Sequence, residues 1–171
     1  MRTMTADHSR LDSETRVREG DHVALRTWLR LLTCCNMIEG ELRRRFRIVF
    51  DCTLPRFDLL AQLDRHPEGL TMGQLTELMM VSGGNVTGLV TQLEERGWVA
   101  RSANEHDRRS YRVRLTRSGT REFARMAEVH EGWVTELLGG VQEREQEQIL
   151  TGLRALKGSV RDAIANCDDA A

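Results

Sequence analysis

The sequence predicts a mainly α-helical chain with a single two-stranded β-hairpin, its centre flanked by long helices. Three observations predict this class. Apolar residues recur at three- and four-residue steps through most of the 171 positions. Helix start and stop residues bracket those runs. The period falls to two residues only around positions 98–116, where a hairpin therefore belongs.

From Asp21 to about Arg47, Leu25, Trp28, Leu29, Leu32, Cys35, Glu39, Leu42 and Phe46 follow the helical step. At 1.5 Å rise per residue this helix is about 40 Å long, too long for one small core to cover. Thr53 as N-cap and Pro55 in the first turn open a second helix with Phe57, Leu60 and Leu63 on one face, and Pro67 and Gly69 stop it. Thr71 and Gln74 have capping-box spacing between Leu70 and Leu75, which start a third helix of about two turns. A fourth begins at Ser82 as N-cap, buries Val86, Leu89, Val90 and Leu93, and ends at Gly97 as C′ residue. The strand-like runs 98–102 and 110–116 follow, joined by "ANEHDRR". On the second, Tyr111, Val113 and Leu115 share one face, and Arg112 and Arg114 take the other. Thr116 caps a fifth helix, with Phe123, Met126, Ala127, His130 and Val134 on one side, which Gly139 and Gly140 break. In the last, from Glu143 to about Ile164, Ile149, Leu153, Leu156 and Val160 form the narrow stripe of a helix that packs on another long helix, including one from a second chain.

Charge is unevenly distributed along a chain of net charge -1. Between Arg96 and Arg117 seven arginines face two acids (+5), whereas from residue 118 onward six basic residues face ten acidic ones (-4). A local basic segment of this kind points to an acidic partner for the middle of the chain. The first 20 residues are polar and weakly periodic, as in a flexible arm, and lack the apolar core of a signal peptide. No run approaches the 18 apolar residues of a membrane span, so a cytoplasmic protein without a membrane partner is expected. The four cysteines show no zinc spacing, and His8, His22, His66, His106 and His130 are scattered, so neither metal nor cofactor is expected. GxGxxG, P-loop, HExxH and GxSxG motifs are absent, and the sequence reads as a non-enzyme.

Helix, short helix, turn, helix and hairpin is the order of a winged helix-turn-helix, whose second helix enters a DNA major groove while its hairpin reaches the flanking backbone or minor groove. Around helix 82–96, Gly83, Gly84 and Gly88 permit close approach. Ser82, Asn85, Thr87, Thr91 and Gln92 supply short donors and acceptors suited to phosphates and base edges. Arg101 and the element Asp107, Arg108 and Arg109, at the hairpin tip, complete the expected contact set, with Asp107 holding an arginine at a fixed angle.

Residues 81–119, "VSGGNVTGLVTQLEERGWVARSANEHDRRSYRVRLTRSG", resemble the recognition helix and wing of the MarR family, whose wing carries Asp-Arg-Arg or Asp-x-Arg followed by Leu-Thr-x-x-Gly. Here these are Asp107, Arg108 and Arg109, then Leu115, Thr116 and Gly119. The resemblance spans roughly residues 25–165. It implies a homodimer built by the first and last helices, a palindromic double-stranded operator straddled by two wings, and repression relieved by a small ligand. By the same resemblance Arg109 is the minor-groove arginine and Asp107 its orienting partner. The domains expected are an arm (1–20), a dimerisation helix (21–51), the winged helix-turn-helix (52–117) and C-terminal helices completing the dimerisation region (118–171).

Residues 25–47 and 53–75 further resemble the subgroup controlling aromatic catabolism, whose effectors are aromatic acids or hydroxycinnamoyl-CoA thioesters. An anionic aromatic ligand needs an aromatic wall and an arginine, and Trp28, Arg30, Asn36, Arg43 and Phe57 are the candidates. Two alternatives stand beside this reading. One is oxidant sensing through Cys34 or Cys35, although vicinal cysteines on a helix diverge by about 100° and do not readily bridge. The other is a winged-helix module that docks proteins rather than DNA.

Overall fold

The computed structural model describes residues 23–79, 83–104 and 107–168, so the expected arm, Ser82 as N-cap and the tip residues Glu105 and His106 lie outside the described residues. The elements are α1 (Val23–Phe50), α2 (Leu54–Asp64), β1 (Leu70–Thr71), α3 (Met72–Met79), α4 (Gly83–Glu95), β2 (Val99–Asn104), β3 (Asp107–Leu115), α5 (Arg117–Leu138) and α6 (Glu143–Asp168). Both long terminal helices run a few residues past their expected ends. The chain divides into two compact units between His130 and Glu131, inside α5.

In the first unit the local signals act largely as expected. The Thr71 backbone N–H donates to Gln74 Oε1 (2.9 Å) and the Gln74 N–H to Thr71 Oγ1 (3.3 Å), a reciprocal capping box with Leu70 and Leu75 buried beside it. α4 ends in a Schellman motif: Trp98 N–H donates to Leu93 O (3.0 Å) and Gly97 N–H to Glu94 O (2.8 Å). Gly97 has φ 70°, a left-handed conformation that glycine adopts without a Cβ penalty. Thr53 caps α2 by backbone position alone; its side chain makes no cap hydrogen bond.

The sheet has three strands in the order β1-β3-β2, all antiparallel, rather than the expected two. Leu70 pairs with Val113 and Thr71 with Arg112, so the residues entering α3 also close the hairpin's outer edge. The hairpin strands are longer than their alternation suggested. Asn104 pairs with Asp107 across an irregular register, which places the backbone of Asp107, Arg108 and Arg109 on β3 rather than in a loop. Tyr111 shares its strand face with Val113 but lies beyond the core, 58% exposed.

Two clusters hold this unit together. Leu59, Leu60, Leu63, Leu75, Val86, Val90, Leu93 and Val113 form the centre of the helix-turn-helix, each nearly inaccessible to solvent. An aromatic group joins α1, α2 and α5. Phe46 lies 4.7 Å from Phe57 and 5.7 Å from Phe50, and Phe57 lies 5.6 Å from Phe123 and 4.9 Å from His130. Burial among these rings pushes the His130 pKa down, keeping the imidazole neutral where a charge would be poorly solvated.

The second unit contains the end of α5, the Gly139–Gly140 turn and α6. The Gln142 N–H donates to Glu145 Oε2 (3.1 Å) and the Gln146 amide to Val141 O (2.9 Å), which closes the start of α6. Ile149, Leu153, Leu156, Val160 and Ile164 remain exposed along α6.

Candidate nucleic-acid interface

α4 buries Val86, Leu89, Val90 and Leu93 against α2, α3 and β2. At 100° per residue the outermost line is then Gly84, Gly88, Thr91 and Glu95, all exposed. A Cβ built on Gly84 or Gly88 meets nothing within 4 Å, so neither glycine is required by packing inside the chain. Asn85 and Gln92 flank this ridge toward α2, and Thr87 flanks it toward β2.

Neighbouring elements brace both flanks. From β2, Arg101 donates to Thr91 Oγ1 (3.3 Å) and pairs with Glu94 (3.5 Å). From α2, Arg56 Nε and Nη2 donate to Gln92 Oε1 (2.9 and 2.7 Å). At the helix end Arg96 donates to both the carboxylate (2.7 Å) and the carbonyl (2.9 Å) of Asp51, a residue held at φ 46° between α1 and α2.

The arginine excess of the middle segment is thus partly structural. Arg112 donates to Gly69 O (2.7 Å) and Arg114 to Glu68 O (2.8 Å), tying β3 to the turn before β1. Arg112 and Arg114, on the strand face opposite Val113, thus supply donors to the carbonyls of residues 68 and 69. Arg108 and Arg109 are placed by their backbone on the hairpin arm beside the described end of β2.

The residues expected to bind a ligand do not converge. Trp28 and Arg43 are about 22 Å apart along α1. Trp28, Arg30 and Asn36 lie on exposed turns of that helix, and Phe57 is a core residue, only 7% exposed. Arg43 alone of the five lines a cleft of about 490 Å³, bordered also by Arg47, Pro55, Asn85, Gly88 and Gln92. Along this stretch of α1, Glu39 pairs with Arg43 and Glu41 with Arg44 and Arg45, whose hydrogen bonds hold the Glu41 pKa at about 2. Arg47 is the cation of the run without a carboxylate partner among the described residues.

Cys34 and Cys35 are exposed on α1, whereas Cys52 is buried, and burial pushes its thiol pKa up, away from the reactive thiolate.

On α2 the exposed residue Asp58 has a pKa pushed up to about 6, first by partial burial of its carboxyl and then by the Glu39 charge, with Arg43 opposing. A carboxyl raised in the folded state holds its proton there at pH values where the unfolded chain has released it. Stability from this group is therefore greatest below about pH 4, falls as pH rises to about 6, and is flat above. An enclosed carboxyl shifted this far would be worth roughly 3 kcal/mol; the solvent reaching Asp58 reduces the expectation to about 1 kcal/mol. Asp58→Asn should accordingly be more stable than the parent at pH 7 and lose this decline, as read by urea unfolding from pH 4 to 7. A parallel decline in both proteins would assign it to another group.

The helix pair α3–α4, the three-stranded hairpin sheet and the open ridge of α4 define a winged helix-turn-helix protein. A family model described as MarR family matches residues 50–110, from the end of α1 into β3. The transcriptional regulator PecS of Dickeya dadantii is 33% identical over 64% of this chain and 65% of its own length. The transcriptional activatory protein BadR of Rhodopseudomonas palustris is 35% identical over 57% and 56%. The chain thus spans less than two thirds of either relative. A crystal structure of a MarR family transcriptional regulator from Silicibacter pomeroyi superposes with TM-score 0.69 and 32% identity, covering 80% of this chain and 94% of that one. The chain belongs to the MarR family of transcriptional regulators, not to a class of enzymes.

The positions that sequence patterns missed are Arg56, Arg96 and Arg47. The partners of Arg56 and Arg96 lie 36 and 45 residues away, and Arg47 borders a cleft formed with α2 and α4, so no local motif marks these positions.

Proposed function

We propose that the chain is a ligand-responsive homodimeric repressor that binds a palindromic duplex operator, with α4 in the major groove and the β2–β3 hairpin on the flanking minor groove. The observation that carries this reading is the exposed Gly84–Gly88–Thr91 ridge, with open space where a Cβ would stand at both glycines, adjoining the arginine-bearing hairpin. The contact set is Ser82, Gly84, Asn85, Thr87, Gly88, Thr91, Gln92, Arg101, Asp107, Arg108 and Arg109. Dimerisation is supported by the apolar residues left exposed on α1 (Leu25, Trp28, Leu32) and on α6. Among the described residues no helix is long and apolar enough to cross a membrane, in keeping with a cytoplasmic site of action. The name of BadR favours a second reading, activation, which a reporter driven by the chain's own operator separates from repression.

The effector proposed is a small aromatic acid or aryl-CoA thioester. Support comes from Arg43 and Arg47, two cations bordering a cleft that shares Asn85, Gly88 and Gln92 with the reading face of α4. An anion held there would crowd the surface that DNA needs. A thermal-shift screen with aryl acids and their CoA esters, followed by release from duplex, tests this directly; neither stabilisation nor release by any of them would remove the effector class.

For the operator, fluorescence anisotropy on upstream duplex should show half-sites about 34–36 Å apart. Affinity should fall steeply with salt as phosphate contacts release counterions. Arg109→Ala should weaken binding at least tenfold; unchanged affinity would exclude the wing from the interface.

A further inference from the structure

Arg56 lies in the first turn of α2, where the buried Leu54 and the rigid Pro55 fix its backbone. Its guanidinium reaches α4 and places two N–H donors on the same atom, Gln92 Oε1, at 2.9 and 2.7 Å. A guanidinium has no acceptor, so only the oxygen end of the Gln92 amide can face it. That oxygen has two lone pairs, and both are now engaged. The NH₂ end is left as the side chain's remaining hydrogen-bonding group, on an exposed flank of α4 beside the Gly88 ridge.

A free glutamine on a major-groove helix reads adenine, donating to N7 while accepting from the N6 amino group. With its oxygen engaged, Gln92 cannot make that pair. Its donors instead match guanine, whose O6 and N7 both accept, and secondarily thymine O4. From this geometry we infer that Arg56 is a positioning residue for specificity: it locks Gln92 as a donor-only reader, so that each half-site carries guanine or thymine, rather than adenine, opposite Gln92. The inference rests on the proposal that α4 reads duplex DNA.

The test is selection of bound duplexes from a randomised library by the full-length chain and three variants: Arg56→Met, Arg56→Lys and Gln92→Ala. The parent should enrich guanine or thymine at one position per half-site, and Gln92→Ala should flatten that position alone. Arg56→Met, which frees the amide oxygen, should move the same position toward adenine by at least fivefold relative to guanine. Arg56→Lys, which keeps a donor on the oxygen, should retain the parental preference. If Arg56→Met instead weakens every sequence equally, Arg56 is a phosphate contact or a purely structural link, and the inference is overturned. It is likewise overturned if Gln92→Ala leaves the profile unchanged. Should the parent enrich no sequence, DNA reading by α4 falls, and this inference with it; enrichment by the parent with identical profiles in all variants overturns the Arg56 role alone.

Discussion

Gly88→Leu should leave the fold intact while reducing duplex affinity at least about 30-fold. Glycine inside a helix costs about 0.8–1 kcal/mol relative to alanine, and leucine is close to alanine on that scale. A Cβ at position 88 meets nothing within 4 Å, and the position is exposed, so the added side chain extends toward solvent rather than into the core. Thermal unfolding should therefore occur at an equal or higher temperature than in the parent. On the DNA side the same side chain would stand on the outermost line of α4 and hold the backbone off the groove floor. Losing two base-edge contacts, at about 1–3 kcal/mol each, corresponds to a factor of about 30 or more. Opposite signs for stability and affinity distinguish an interface glycine from a structural one. Full affinity for operator in this variant would place the groove contact elsewhere.

Gly119→Ala should have the contrary character, destabilising the whole helix-turn-helix unit by about 3 kcal/mol or more. Here the close approach lies inside the molecule: a Cβ on Gly119 would run into the carbonyl group of Trp98. The obstacle is backbone, and it is held in place. Thr116 N–H donates to that same Trp98 oxygen (3.0 Å), Thr116 Oγ1 donates to Gly97 O (2.7 Å), and Gly119 N–H donates back to Thr116 Oγ1 (3.0 Å). Relief of the clash would need α5 to move away from the start of β2, breaking a cap and a turn together. Overpacking of this kind costs typically 1–3 kcal/mol, and a backbone obstacle places it at or above the upper end. Urea unfolding measures the loss; a change below about 1 kcal/mol would show that the α5 start is free to shift. The Leu-Thr-x-x-Gly run is thereby explained as a joint between wing and helix, with no need of a DNA contact.

The parts legible in advance share one property: their partners are near in sequence. The Thr71–Gln74 box, the Gly97 stop, the Thr116 cap and the buried stripe of α4 each involve residues within about a turn or two of one another. Side-chain chemistry over such a span is nearly independent of the rest of the chain. The glycine ridge of α4 was legible for the same reason, since helical periodicity alone assigns Gly84, Gly88 and Thr91 to the side away from Val86, Leu89, Val90 and Leu93.

What remained hidden depended on distant segments. β1 is only two residues long and carries no period of its own; it exists because Leu70 and Thr71 meet Val113 and Arg112. The strand period places Arg112 and Arg114 on one face of β3, but nothing local reveals that the carbonyls of Gly69 and Glu68 await them. Phe57 satisfied the composition of an aromatic pocket, and the meeting of α1, α2 and α5 made it core instead.

By itself, then, the sequence determined the helices, the caps at Thr71, Gly97 and Thr116, the hairpin and the exposed ridge of α4, because short-range hydrogen bonding and hydrophobic period specify these without long-range help. Only the tertiary structure decided which arginines are pins and which amide is oriented. A guanidinium bonds whichever oxygen the fold brings within about 3 Å, and that proximity is a property of packed elements rather than of neighbouring residues.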